Sequence, residues 1–427
     1  MTKLNRRTML LASGAAVIAP SIPRLARADT KPRVTVISQW SAGSDGAAIT
    51  ALGELFTKAG GDWQHNPVPG FTTDMMNKLR AQILSGDPPA VSQLKGPEIA
   101  AWSKIAPTLN LDNDVAAAGY EKVVAPELVK LHKPFGHWIS LPLQVYRINS
   151  IWISKKAADR VGVTALPKTW AEYNAIAEKM AAAGIQPCAN GGTKWDNGMI
   201  WEIALNGISP AAYRKAVMEL DAATLKGPEV LAAFEQTRKL SQWMDPNTAS
   251  QHYSTFIPKF MKGDAGMLLM GGWVQGVYAK AGYQFADYMT GPAPQDNGIP
   301  AFILNADAFI FWQRKEAEFT AGQHLLAKLV MEKDTQKMYS GITGSLPVRT
   351  DMDLSDPAFS PAQREAAASL AAAVKAGQGT LSLAHNLAQP NQVTAAMIDV
   401  LTEYVTDRSI TPQKGQARLA EAVDNVR

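Results

Sequence analysis

Val34-Thr-Val-Ile-Ser-Gln39 is a run of β-favouring residues, and after Trp40-Ser-Ala-Gly-Ser the apolar positions Ile49, Leu52, Leu55 and Phe56 recur at helical spacing between Asp45 and Lys58. A short strand leading into an amphipathic helix is one unit of an α/β sheet protein, and the unit recurs down the chain. Asp74 to Leu84 reads as a second helix, stopped by Ser85-Gly-Asp-Pro-Pro89, and Ala90-Val-Ser-Gln-Leu94 as the next strand. Trp138-Ile-Ser-Leu-Pro-Leu143, Ile151-Trp-Ile-Ser154, Ala265-Gly-Met-Leu-Leu-Met270 and Ala308-Phe-Ile-Phe-Trp312 are strand-like, between helices such as Thr169 to Ala183 and Glu316 to Lys333. This alternation predicts an α/β protein with functional loops at strand ends. The Ala-rich last third predicts three helices, Pro361 to Lys375, Pro390 to Thr406 and Pro412 to Val426, as a cover on one lobe.

The first 28 residues read as an export signal. Lys3, Arg6 and Arg7 form a basic start, Met9 to Ala19 is a short apolar run, and Ala26-Arg27-Ala28 is a small-x-small exit. The adjacent Arg6-Arg7 pair and the modest hydrophobicity that follows are of the twin-arginine type. Cleavage is expected near Ala28, releasing a soluble, monomeric periplasmic protein. The leader holds five of the 42 basic residues and no acidic ones, so the remainder carries 37 against 38 acidic residues. Near-neutral charge gives no footprint for nucleic acid or an anionic membrane. Cys188 is alone, which rules out an intramolecular disulfide.

Roughly 400 residues exceed the size at which one core stops growing, so two lobes are expected. Catalytic signatures are missing from the chain: there is no phosphate loop, no G-x-S-x-G elbow, no H-E-x-x-H pair and no dinucleotide fingerprint. Asp112-Asn-Asp114 resembles the opening of a calcium loop without its Gly and closing Glu, and reads as a solvated turn. No cofactor and no metal site are expected. Tryptophan stands out instead, with 11 copies. Trp102, Trp152, Trp170 and Trp312 read as core, whereas Trp40, Trp195 and Trp273 sit beside small residues and polar groups. An indole face with amide and carboxylate neighbours suits a sugar, whose C–H face stacks while its hydroxyls are hydrogen-bonded.

Leu166-Pro-Lys-Thr-Trp-Ala-Glu-Tyr173, Ala183-Gly-Ile-Gln-Pro187 and Phe260-Met-Lys-Gly-Asp-Ala-Gly-Met-Leu-Leu-Met-Gly-Gly-Trp273 resemble the signature of extracellular solute-binding proteins (family 1) that feed ABC sugar transporters. Through Gly86-Asp-Pro-Pro89, Gln93-Leu-Lys-Gly-Pro-Glu98, Asn305-Ala-Asp-Ala-Phe309 and Gly344-Ser-Leu-Pro-Val-Arg349 the chain is most similar to the glucose/mannose-binding branch. The resemblance implies a two-lobed periplasmic binding protein fold of type II-like topology, with an interlobe cleft, hinge crossings and a helical C-terminal region. The implied division is 29–146 with 290–342 as one lobe and 147–289 with 343–427 as the other, with a crossing near Tyr146 to Asn149.

The resemblance also implies ligand contacts. Carried over by motif, these are Trp40, Asp45, Lys95, Asn305, Asp307 and His385, joined by Trp195 and Trp273 from the residue reading. Asp45 has an alternative role as a helix cap. Asn305 and Asp307, one residue apart, share a face if they lie in a strand. Gln39 stands where the family usually has a Trp, and Thr343 where it usually has a Lys, which predicts a roomier, more polar end to the site. The implied partners are a sugar and the permease subunits of an ABC importer. The competing class is an exported carbohydrate-active or redox enzyme.

Overall fold

The computed structural model describes residues 31–68, 72–298 and 301–427; the expected leader and its cleavage site lie outside them. Among the described residues ten strands form two sheets. The first contains β1 (Arg33–Ser38), β2 (Asp62–Pro67), β3 (Val91–Leu94), β4 (Ser140–Arg147), β9 (Phe302–Phe311) and β10 (Gly379–Leu381). The second contains β5 (Ser150–Ser154), β6 (Gln186–Cys188), β7 (Ala265–Leu269) and β8 (Tyr288–Pro292), in the order β6-β7-β5-β8.

β9 is the axis of the first sheet. β4 runs antiparallel along one of its edges from Leu304 to Ile310. The other edge is shared, with β10 parallel to 302–304 and β3 antiparallel to 308–311. Every residue of β9 is buried, as a strand covered on both faces requires. Phe309 and Phe311 pack into one apolar cluster with Val36, Leu141 and Leu326, whereas Ala308 and Ile310 pack into another with Trp102 and Trp312. Trp152 and Trp170 lie in the core of the second sheet, so all four tryptophans expected inside are buried.

The chain passes between sheets where hydrogen bonds are dense. Ile148 and Asn149 join β4 to β5, and the segment after β8 returns to β9 beside them. Asn149 is fully buried and stitches the two passages together: its Nδ2 donates to Ala301 O at 3.1 Å, its Oδ1 accepts from Ile303 N at 2.8 Å, and its carbonyl accepts from Ala293 N at 2.9 Å.

The helix expected from Glu316 to Lys333 runs Ala317–Met331, and a further helix, Lys333–Thr343, follows it across the extended Glu332. Other sequence expectations change. Asp112 and Asp114 lie in the first turn of a short helix, Asp112–Ala117, rather than a solvated turn; Asp112 accepts from Trp138 N, and Asp114 faces His324. The C-terminal segment serves both sheets: β10 pairs with β9, although 343–427 was expected in the second lobe, while the helices Asn391–Thr406 and Pro412–Asp424 pack on the second core. β8 likewise belongs wholly to the second sheet, past the expected boundary at 290.

Candidate sugar-binding site

The gap between β10 and β3 on the edge of β9 falls at residues 305–307. Asn305 and Asp307 project from this gap on one face, as their period-2 spacing requires. Opposite them on β4 stand Tyr146, paired with Asn305, and Gln144, paired with Asp307. Cross-strand register therefore builds a four-residue polar floor. Lys95, immediately after β3, reaches it from the side and places Nζ 3.3 Å from Asp307 Oδ1. Gln93 Nε2 donates to the same oxygen at 3.3 Å.

Asp45 enters from the helix Gly43–Lys58 that follows β1. It is not the cap of that helix, whose N-cap is Ala42, so its carboxylate is available to the floor. Gln144 Nε2 lies 3.2 Å from Asp45 Oδ1 and 3.2 Å from Asp307 Oδ2, so one amide bridges two carboxylates. Burial and then the nearby Asp307 push the Asp45 carboxyl up to about 6, against hydrogen bonds from Gln144 and Tyr146 and the charge of Lys95. Asn305 is 3% exposed, and its Oδ1 has no hydrogen-bond partner. A buried acceptor without a donor is uncommon, because its desolvation is uncompensated.

The second sheet and the turn after β10 together supply an aromatic wall. Trp273 follows β7 in Met270-Gly-Gly-Trp273, and Gly271 is required there because a Cβ would stand 2.1 Å from the Trp273 ring. Trp195 opens the helix Lys194–Ile208, whose first turn is fixed by a reciprocal Thr193–Asp196 capping box. His385 lies in the turn after β10. Trp195, Trp273 and His385 form a triangle with ring centroids 6.1, 5.2 and 5.6 Å apart, and Tyr146 meets Trp273 edge-on at 5.6 Å. Burial, then the charge of Lys95, holds the His385 imidazole well below its usual range, so it is neutral and can accept a hydrogen bond.

Floor and wall enclose a cavity of about 570 Å³ lined by Gln39, Trp40, Asp45, Lys95, Trp195, Trp273, Asn305, Asp307 and His385, nine of the ten residues singled out in the sequence. Trp40 packs its other side on Phe309, with centroids 5.9 Å apart. Thr343 does not line the cavity. It is fully buried with its hydroxyl donating to Tyr339 O at 2.9 Å and meeting Ser345 Oγ at 2.8 Å, and the Tyr146 side chain stands beside it. Tyr146, which does line the cavity, stands between it and Thr343's neighbourhood. Tyr146, Tyr253, Lys194, His252, Asn386 and Ile398 also line the cavity and were not singled out. Alternation along Gln144-Val-Tyr146 was the available signal for Tyr146.

A larger hollow of about 830 Å³ lies beside the helix Pro361–Lys375, but its walls are mainly apolar, and its rim charges Arg349 and Glu121 are paired with Asp351 and Lys133. That lining is unlike the mixed polar floor and aromatic wall of the first cavity. Among the described residues no cluster of His, Cys, Asp or Glu is arranged to hold a metal ion, and no helix is long and apolar enough to cross a membrane.

Residues 51–369 match the family model of the bacterial extracellular solute-binding proteins. The chain belongs to that family. A probable sugar-binding periplasmic protein of Brucella suis biovar 1 (strain 1330) is 31% identical over 404 residues, covering 94% of each chain, and one of Rhizobium meliloti (strain 1021) is 31% identical over 393 residues, covering 92% of this chain and 93% of the relative. Among solved structures this solute-binding protein is similar to a chitin oligosaccharide binding protein, with a TM-score of 0.75, 19% identity and coverage of 92% and 98% of the two chains. It is also similar to a raffinose complex of another binding protein, with a TM-score of 0.70, 14% identity and coverage of 92% and 99%. The last two likenesses concern the fold.

Proposed function

We propose that this solute-binding protein captures a sugar in the cavity between its two sheets and delivers it to the permease of an ABC importer from the periplasm. The observation that carries the reading is the pairing of open hydrogen-bonding capacity with a stacking surface: Asn305 Oδ1 and the Asp45–Asp307 pair on one side, Trp195 and Trp273 on the other. A sugar satisfies both at once, with its hydroxyls donating to the floor and its C–H face on an indole. The sugar-binding names of the relatives point the same way. Because the floor stands on the first sheet and Trp195 and Trp273 on the second, a bound sugar links two lobes divided at Ile148–Asn149 and the return to β9. Closure then signals occupancy to the permease by shape. We assign binding and no bond-breaking step, since Asp45 and Asp307 hold one amide between them instead of flanking a ligand bond from opposite sides.

Thermal denaturation against a panel of mono- and disaccharides tests the reading, because a ligand at 100 times its dissociation constant adds about 2.7 kcal/mol of stability. Failure of every saccharide to raise the transition would overturn it. Trp273→Ala is expected to weaken the best ligand by about 1–3 kcal/mol, seen by calorimetric titration, as a stacking face and its desolvation are lost together.

Affinity is expected to depend on pH through Asp45. Ligand donors favour the ionised carboxylate, so the bound state has a lower Asp45 pKa than the free value of about 6. Binding then releases a proton, and affinity falls as pH drops below about 6. Titrations between pH 5 and pH 8 check this, with flat affinity counting against an ionised Asp45 in the contact.

A further inference from the structure

The deep end of the cavity is unbalanced in charge and in hydrogen-bonding sense. Two carboxylates, Asp45 and Asp307, face it with one cation, Lys95, which is drawn to Asp307. Lys194 at the other end is engaged by Asp399 at 2.6 Å. The side-chain donors Gln144 Nε2, at 3.2 Å, and Tyr146 OH, at 3.5 Å, are both long and reach the same oxygen of Asp45, Oδ1. Asn305 adds a buried acceptor without a donor. An acceptor without a donor therefore lies beside an excess negative charge, and these are separate observations on separate strands and a helix.

A sugar hydroxyl brings one donor and no charge. A protonated amine brings three donors, no acceptor and the missing positive charge. A carboxylate-bearing sugar would add a third anion to the pair. Resting on the reading that the cleft takes a sugar, we propose that the preferred ligand is a saccharide carrying a free, protonated amino group seated against Asp45, with Asn305 Oδ1 as a second acceptor.

The charge-assisted bond is expected to favour the amine over its neutral counterpart by about tenfold or more at pH 7. The test is calorimetric titration with glucosamine, glucose, N-acetylglucosamine and glucuronate, and with the β-1,4-linked disaccharides of glucosamine and of glucose. N-acetylglucosamine keeps the substituent and removes the charge, which separates charge from size. The expected order is amine above neutral above acid in at least one of the two series. Asp45→Asn should collapse the ratio between amine and neutral sugar, with its thermal transition verifying the fold. A second readout needs no variant: on the wild-type protein the preference should vanish as pH rises through the amine's own pKa. Asp45 is faced by Asp307, Lys95, Tyr146, Tyr253 and Tyr339, and burial raises the three phenols above their ordinary range, so they stay neutral through that point. Equal or tighter binding of the neutral sugar, or of N-acetylglucosamine, overturns the proposal and leaves the sugar-binding reading standing. Silence of both series while other saccharides bind also overturns it, whereas silence of every saccharide overturns the function as well.

Discussion

Glu202→Ala is expected to lower stability by about 3–5 kcal/mol and to weaken sugar binding in the same stroke. Glu202 is fully buried in the helix Lys194–Ile208 and makes no contact with the cavity. Its carboxylate accepts from Ser382 Oγ at 2.7 Å, Tyr213 OH at 2.9 Å, Leu383 N at 2.7 Å and Ala384 N at 3.4 Å. Truncation removes the carboxylate acceptor from the buried Ser382, Leu383 and Ala384 donors, while Tyr213 OH keeps Leu381 O at 2.9 Å. Ser382 Oγ also meets His385 Nδ1 at 2.8 Å, so the chain Glu202–Ser382–His385 fixes the imidazole at the cavity wall. Denaturant unfolding and sugar titration measure the two effects; loss of stability alone would make Glu202 purely structural.

The same residue gives a pH signature. Burial pushes Glu202 up to about 7, against the hydrogen bonds it accepts from Ser382, Tyr213, Leu383 and Ala384. The folded state therefore holds a proton that the unfolded chain, with its ordinary carboxyl near 4.5, has released. Stability from this group is present in full below about 4.5 and is lost as pH rises through about 7. In Glu202→Gln, which cannot titrate, that component of the decline should disappear, leaving Asp196, also raised by burial to about 7, to supply part of what remains.

Gly96→Ala should be nearly as damaging, for a different reason. Gly96 has φ +58, where an L residue costs about 1–2 kcal/mol, and its added Cβ would stand 2.1 Å from Asn386 O and 2.9 Å from Leu387 Cα. Both neighbours are backbone, so no side chain can swing aside. The clash pushes Lys95 and His385 apart, and the expected result is a loss of more than about 2 kcal/mol in stability with weakened sugar binding. Gly86→Ala is the control, because Gly86 has φ +79 with nothing within 4 Å of the added Cβ. It should show the backbone term alone. Equal unfolding midpoints for the two variants would rule out the close approach as the cause.

What the sequence made legible follows from the range of the forces involved. The strand-helix alternation, the three C-terminal helices and the shared face of Asn305 and Asp307 depend on local periodicity, and they stand in the structure within a few residues of the expected limits. Tyr146 was expected only at a crossing between lobes and Gln144 not at all, because their place in the floor shows only when β9 is laid beside them in register. β10 is three residues long, too short for any alternation to show, and only its pairing with β9 reveals which sheet it joins. Thr343 was chosen by position in a motif, and no pattern in its neighbourhood announces that Tyr146 comes to lie beside it. Glu202, in the middle of an apolar helix, gave no sign of its partners some 180 positions away.

That distance along the chain also sets when the receptor can first work. The first strand, the central strand and the closing turn are drawn from residues 33–38, 302–311 and 382–387, so a chain grown only as far as β9 holds most of the floor but none of the His385 wall. β10 and the turn after it can add to β9 only after residues 379–387 have been made, and non-local pairings of this kind are slow to form. The cavity is thus completed by its last-made wall, and a ligand finds no finished pocket before β10 docks.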